Sequence, residues 1–284
     1  MAEDPLPPLR EVIAAHDLGA KKAFGQHFLL DLNLTRKIAG LAGDMSGSHA
    51  MEVGPGPGGL TRGILALDPR RLTVVEKDER FLGALDDIAK AFPQKMDIVR
   101  DDALAVSEAD FMDGEDKVIL SNLPYNVGTL LLIKWLEAEP IWWRRAVLMF
   151  QREVADRVVA TVGSKAYGRL AILSQSVCSA RLALKIPARA FTPPPKVESA
   201  VVVLDPLPRE ERFDDLEALG IVTASAFGQR RKTLRKSLGQ AASKCGMSSD
   251  ELLERADIDP SARAETISIE GFQKLARIWR DAKA

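Results

Sequence analysis

The chain has 284 residues, 46% hydrophobic and 28% charged, with 20 glycines, 16 prolines and a formal net charge of −1. These values describe an ordinary globular protein of one large or two unequal domains and exclude a fibrous repeat or a disordered chain. Net charge this close to zero says nothing about a nucleic-acid partner, so only local clustering can. Two cysteines, Cys178 and Cys245, lie outside any Cys-x-x-Cys or Cys/His cluster, which excludes a disulfide scaffold and argues against a metal site. No apolar stretch approaches the ~18 residues of a membrane span, and Met1 to Pro5 lacks the basic and apolar regions of a signal peptide. A soluble cytoplasmic protein with no membrane partner is expected.

In chain order, residues 1–20 form an N-terminal arm whose proline-bearing first eight residues are expected to be mobile. Leu34, Ile38 and Leu41 then recur at helical spacing, with Asp31 as N-cap and Gly43 as stop. Seven short β-rich runs follow: Ala50 to Val53, Leu72 to Val75, Asp97 to Val99, Val118 to Leu120, Ala146 to Phe150, Leu182 to Ile186 and Ala200 to Leu204. Their alternation with helical segments predicts a doubly wound α/β sheet, and the last two, lacking an obvious crossover helix, place an antiparallel strand at its end. The prolines of Asp205-Pro206-Leu207-Pro208 and the charged run behind them mark a domain boundary. Beyond it only helices are predicted, at Asp214 to Phe227, Arg231 to Ser243, Ser249 to Arg255 and Ser268 to Lys283. The expected organisation is an arm at 1–20, a sheet domain at 21–205 and a smaller all-helical domain at 206–284.

Met51-Glu52-Val53-Gly54-Pro55-Gly56-Pro57-Gly58-Gly59 leaves the first strand and enters a helix, with Gly54, Gly56 and Gly59 in the G-x-G-x-x-G spacing. Glycines there let a ligand approach the backbone. Glu76 ends the next strand about 20 positions further on, where a carboxylate can bind both hydroxyls of a ribose. An adenosine-containing cofactor is indicated, but the glycines alone do not separate a nicotinamide dinucleotide from S-adenosylmethionine. Glu52 and the prolines in the loop resemble the E-x-G-x-G first motif of S-adenosylmethionine-dependent methyltransferases. Asp102, in Arg100-Asp101-Asp102 after the third strand, fits an acceptor for the adenine amino group in such enzymes, with Asp101 as the alternative carboxylate.

After the fourth strand, Ser121-Asn122-Leu123-Pro124-Tyr125-Asn126 sets an amide, a rigid turn and an aromatic ring at the carboxyl edge of the sheet. The lone pair of an adenine amine is delocalised into its ring, so methylating it requires help toward tetrahedral nitrogen. Asn122 Oδ1 and the carbonyl of Leu123 or Pro124 could accept the two amine hydrogens while Tyr125 stacks on an extruded base. No motif His or Cys is needed, because the proton can leave after methyl transfer. A capped turn closing the core is the alternative for this tetrapeptide.

Taken together, these motifs and several others resemble the ribosomal RNA adenine dimethyltransferases over nearly the whole chain. The others are Lys22-Ala23-Phe24-Gly25-Gln26-His27-Phe28-Leu29, Gln151 to Arg157, Tyr167-Gly168-Arg169-Leu170 and Phe191 to Ser199. The resemblance implies a Rossmann-like methyltransferase fold with S-adenosylmethionine as cofactor. It also implies cofactor contacts at His27, Leu29, Gly54, Glu76, Asp102 and Asn122, joined by Glu52 and Gly56 of the glycine loop. The family usually has Asn at the His27 position, and imidazole offers fewer simultaneous donors and acceptors than an amide. Phe191 resembles a second aromatic wall of the base pocket, the alternative being a core anchor for its loop. The expected partner is 16S ribosomal RNA in the immature small (30S) subunit, where two adjacent adenosines of the 3′-terminal hairpin loop are dimethylated by a monomeric enzyme.

Between Ala218 and Ser249 there is no acid, yet Arg230, Arg231, Lys232, Arg235, Lys236 and Lys244 fall in that window. On one helix, Arg231 with Arg235 and Lys232 with Lys236 would form a broad basic face suited to phosphates. The segment Phe227 to Leu234 resembles a basic motif of the same family, and Lys21, Lys22, Arg152 and Lys165 extend the expected RNA surface. Trp142 and Trp143 precede a strand and are expected to pack in the interior. Three other readings remain: a large-subunit RNA dimethyltransferase, a nicotinamide-dependent oxidoreductase, and a non-catalytic ribosome-assembly factor on the same fold.

Overall fold

A computed structural model describes residues 5–19 and 26–283. Nine strands are present among them: β1 (Phe28–Leu29), β2 (His49–Val53), β3 (Arg71–Val75), β4 (Met96–Val99), β5 (Lys117–Asn122), β6 (Arg145–Gln151), β7 (Cys178–Ile186), β8 (Phe191–Thr192) and β9 (Ser199–Pro206). Seven form one sheet in the order β4-β3-β2-β5-β6-β9-β7. The first five run parallel, and β9 pairs antiparallel with β6. All seven strands expected from sequence are therefore in the sheet, with the reversal at its end.

Burial explains the composition of these strands. The central residues of β5, β6 and β9 are buried, which is why they read as continuous apolar runs rather than alternating ones; all five residues of β2 are buried too, the polar His49 and Glu52 included. By contrast β7, at the end of the strand order, keeps Arg181 and Lys185 among partly exposed neighbours, and charge there discourages further strand pairing. Trp143 is buried, its indole N–H donating to the Trp135 carbonyl at 3.1 Å, and both cysteines are buried and outside any disulfide. Asp31 caps helix Leu32–Ala39 by accepting from the amides of Asn33 (2.9 Å) and Leu34 (3.3 Å), and the chain leaves that region through Gly43 at φ +81°.

The chain divides into two compact units, Met1–Ala155 with Arg181–Pro206 and Asp156–Ala180 with Leu207–Ala284. The boundary expected at 205–206 is thus one edge of the second unit. That unit also takes 156–180, which the sequence pattern assigns to the sheet domain. Helix Arg169–Gln175 carries five consecutive buried residues, and the phenol of Tyr167 donates to the Ile267 carbonyl at 2.9 Å within the same unit. An apolar helix looks the same in sequence whichever unit it packs in.

Two further expectations are corrected. Residues 5–19 are not a free arm: helix Leu9–Ala15 buries Leu9, and the buried guanidinium of Arg62 donates to the carbonyls of Pro7 (2.8 Å) and Leu6 (3.2 Å). The helix expected from Arg231 to Ser243 is absent over its first turn, for the segment 229–233 is a turn followed by helices Leu234–Ser237 and Gly239–Lys244. Thr233 is extended and bridges Arg263, while the amides of Leu234 and Arg235 donate to the carbonyls of Ala262 (2.8 Å) and Pro260 (3.1 Å). Those tertiary bonds outcompete an earlier helix start.

Candidate active site

Parallel strands β4, β3, β2 and β5 end side by side, and the strand order reverses direction at β2, where open α/β sheets bind ligands. A cavity of about 610 Å³ lies there. Its walls include every cofactor residue expected from sequence: His27, Leu29, Glu52, Gly54, Gly56, Glu76, Asp102 and Asn122. Leu123, Pro124 and Tyr125 join them.

The loop after β2 turns at Gly54, whose φ of +65° lies in the left-handed region; a Cβ there would stand 3.2 Å from Pro124 Cγ. That close approach brings the glycine loop against the Asn122–Tyr125 turn. Glu76 is held from two sides: one carboxylate oxygen accepts the Gly56 amide (3.2 Å) and the other the Asp78 amide (2.9 Å). Burial pushes its carboxyl above the usual range against those two donors. Glu52 is 1% exposed, accepts from the Thr61 hydroxyl at 2.7 Å, and is pushed up to about 8, chiefly by burial. Asp102 behaves oppositely. Its carboxylate accepts from the Leu104 amide (2.9 Å) and pairs with Lys77 (3.1 Å), and these lower its pKa, the amide first. Asp101 also lines the cavity and accepts from the Asp102 amide at 2.6 Å.

At the acceptor side, the Asn122 amide group donates to the His27 carbonyl at 3.5 Å. The Pro124 carbonyl is already taken by the amides of Val127 (3.2 Å) and Gly128 (2.9 Å), which begin the next helix. Of the two carbonyls left open by sequence, this favours Leu123 as the acceptor. The Tyr125 hydroxyl bonds Ser199 Oγ at 3.1 Å, and its ring lies 5.9 Å from the His27 imidazole. His27 Nδ1 lies 2.7 Å from the Pro193 carbonyl, so that nitrogen carries the hydrogen. The side chain thus reaches the proline loop as well as lining the cavity. Phe191 departs from expectation: it is 2% exposed in the hydrophobic core and absent from the cavity wall, because β8 pairs it with Leu29 of β1.

Sequence reasoning missed a polar lattice on the cofactor side, where Arg80 pairs with Asp78 at 2.5 Å and donates to Gln26 at 3.1 Å. Only the nearness of Asp78 to Glu76 could have signalled it. Among the described residues no group of three or more His, Cys, Asp or Glu is arranged to hold a metal ion, and no helix is long and apolar enough to cross a membrane.

The expected RNA residues separate by environment. Arg230 is engaged with Glu265 (3.3 Å) and the Ser164 carbonyl (3.4 Å), and Arg235 pairs with Asp250 at 2.6 Å. Arg231, Lys232 and Lys236 are exposed and, among the described residues, have no acidic partner. Since 229–233 is a turn, Arg231 and Lys232 do not share a helix face with Arg235 and Lys236. Arg152 belongs to the other unit, starting helix Arg152–Val158 with its amide on the Glu198 carbonyl at 2.9 Å. Lys21 and Lys22 lie outside the described residues.

The switch-point cavity, the glycine turn, the buried carboxylate of Glu76 just after β3 and the antiparallel strand at the end of the sheet are the architecture of a Rossmann-like methyltransferase. The family model described as "Ribosomal RNA adenine dimethylase" matches residues 18–281, and the chain belongs to that family, whose methyl donor is S-adenosylmethionine. It is 70% identical over 283 residues to "Ribosomal RNA small subunit methyltransferase A" of Maricaulis maris, covering 99% of this chain and 98% of that one. The protein of the same name from a Ruegeria species is 52% identical over 278 residues, covering 97% and 98%. The fold also matches a dimethyladenosine transferase structure from Plasmodium falciparum with a TM-score of 0.76 at 24% identity, over 90% of this chain and 98% of that one. The cavity suits the cofactor: its volume lies within the ~300–1,000 Å³ of small-molecule sites, and the glycine loop leaves backbone exposed where side chains would fill it.

Proposed function

We propose that this chain methylates the N6 amines of two adjacent adenosines in the 3′-terminal hairpin loop of 16S ribosomal RNA, acting as a cytoplasmic monomer on the immature small subunit. The observation that carries the proposal is the meeting, in one cavity, of the glycine loop, Glu76 and Asp102 at the carboxyl edge of the sheet with the Asn122–Tyr125 turn. The small-subunit relatives support the choice of RNA. When bound, S-adenosylmethionine supplies an electrophilic methyl on a sulfonium.

In this proposal Glu76 takes the ribose hydroxyls, Asp102 the adenine amine of the cofactor, and the amides of the glycine loop line its remaining length. Asn122 Oδ1 and the Leu123 carbonyl accept the two hydrogens of the target amine, drawing its lone pair out of conjugation as the nitrogen attacks. Tyr125, steadied by Ser199, stacks on the base. Pro124 stiffens the turn, its carbonyl being spent on the Val127 and Gly128 amides rather than on the target amine. Arg231, Lys232 and Lys236 contact RNA phosphates, with Arg152 serving the same purpose on the sheet unit.

The test incubates the protein with methyl-labelled S-adenosylmethionine and, separately, undermethylated small subunits, large subunits and free ribosomal RNA, and identifies modified nucleosides by mass spectrometry. N6,N6-dimethyladenosine from small subunits alone is the expected result. Label on large-subunit RNA, or no transfer despite cofactor binding, would overturn it.

A further inference from the structure

Glu52 poses a question that ribose or adenine binding does not answer. It is the fourth residue of β2, and its register neighbours on β3 and β5 are the apolar Val74 and Leu120. One oxygen accepts from Thr61, and among the described residues no cation faces it. Arg62, next to Thr61 on helix Gly59–Leu65, sends its guanidinium to the carbonyls of Leu6 and Pro7. Lys77 stands on Asp102, and Arg80 on Asp78. The charged group acting on Glu52 is Glu76, a like charge, itself next to Asp78. A carboxylate so buried, with one donor and an acidic neighbour, is costly to ionise and keeps its proton at neutral pH. Yet Glu52 lines the cavity.

The methyl donor and its product differ by one charge, sulfonium against thioether, and a cation entering the cavity stabilises a buried carboxylate in its wall. We propose that Glu52 is a specificity-determining residue that distinguishes the sulfonium cofactor from its thioether product by giving up its proton when the cation binds. Charge balances over the cycle. One proton leaves the Glu52 carboxyl on cofactor binding, and one returns to it after methyl transfer has neutralised the sulfur, so that the product faces a neutral carboxyl and leaves more readily. The inference rests on the cavity's being the S-adenosylmethionine site.

Calorimetry on the full chain, in two buffers of different ionisation enthalpy, tests this between pH 6 and 9. The ligands are S-adenosylmethionine, S-adenosylhomocysteine and sinefungin, in which an amine-bearing carbon replaces the methylated sulfur. At pH 7 the two cationic ligands should release about one proton more than S-adenosylhomocysteine, and their affinity should rise up to about tenfold per pH unit until near pH 8. The amino-acid group common to all three cancels in that difference. In Glu52→Gln, an isostere that still accepts from Thr61, the extra proton release should vanish and the preference for the cation should shrink. Equal proton release by all three ligands, or an excess that persists in Glu52→Gln, overturns the proposal. Failure of every ligand to bind wild type would overturn the assignment of the cavity instead. Should Glu52→Gln not fold, the wild-type comparison of cation with thioether decides alone.

Discussion

The two edges of the parallel sheet treat buried polar groups in opposite ways. At the amino edge, His49 is fully buried but doubly partnered, Nδ1 to Asp113 at 2.6 Å and Nε2 to Thr73 Oγ1 at 2.8 Å. Nearby, Ser48 donates to Asp116 at 2.5 Å, and Arg144 binds the same carboxylate. At the carboxyl edge, three residues along the same strand β2, Glu52 has one donor and open space, and Glu76 keeps lone pairs turned to a cavity. A burial cost met inside the protein builds structure; one left standing marks where a ligand must complete the set.

Mutations should separate the two edges cleanly. The largest effect belongs to Asn122→Ala, which should lower the methyl-transfer rate by about 10²–10³-fold, the range for removing one preorganised transition-state hydrogen bond. Cofactor affinity measured by calorimetry should change far less; a rate equal to wild type would remove Asn122 from the reaction. Next is Glu76→Ala, expected to weaken S-adenosylmethionine by about 1.5–3 kcal/mol, the worth of hydrogen bonds to a charged group. Unchanged affinity would contradict the ribose assignment. Asp113→Ala acts at the other edge and should leave cofactor affinity intact while costing about 0.5–1.5 kcal/mol of stability, the net worth of a hydrogen bond whose half-exposed carboxylate water can replace. The pH course has a defined sign. Burial lowers the His49 pKa, so the folded state binds fewer protons than the unfolded one just below pH 6.5, and its contribution is full above that pH and lost as pH falls. Denaturant melts from pH 5 to 8 check both points.

The carboxyl edge was legible in sequence because its residues follow strand ends at spacings that a shared crevice imposes. Glycine loop, Glu76, Asp102 and Asn122 each come after an apolar run, and parallel order brings those ends together. The amino edge was not legible. His49, Thr73 and Asp113 are ordinary residues at unremarkable spacings, joined only when β2 and β3 align and the loop before β5 brings Asp113 to His49. The two-residue strands β1 and β8 escape sequence reading for a similar reason, as they are too short for any periodicity, and their pairing is what carries Phe191 into the core. The turn at 229–233 reads as helix in sequence because its basic residues are good helix formers, whereas the backbone bonds that prevent the helix come from residues 260–263.

The contrast between partnered and unpartnered groups extends to the second unit and yields the smallest expected effect. Arg230 and Arg231 are adjacent in sequence and identical in charge, yet only Arg230 has its guanidinium on an acid of its own unit, Glu265. Arg230→Ala should therefore lower the melting temperature while leaving the salt dependence of RNA binding near that of wild type. Arg231→Ala with Lys232→Ala should do the reverse, holding the melting temperature and reducing the slope of log affinity against log salt by about 0.7–0.9 for each phosphate no longer neutralised. S-adenosylmethionine affinity should be unaffected in both variants. If instead Arg230→Ala alone flattens the slope, its ion pair with Glu265 opens on the RNA, and pairing within the free protein does not mark a side chain as structural in this unit.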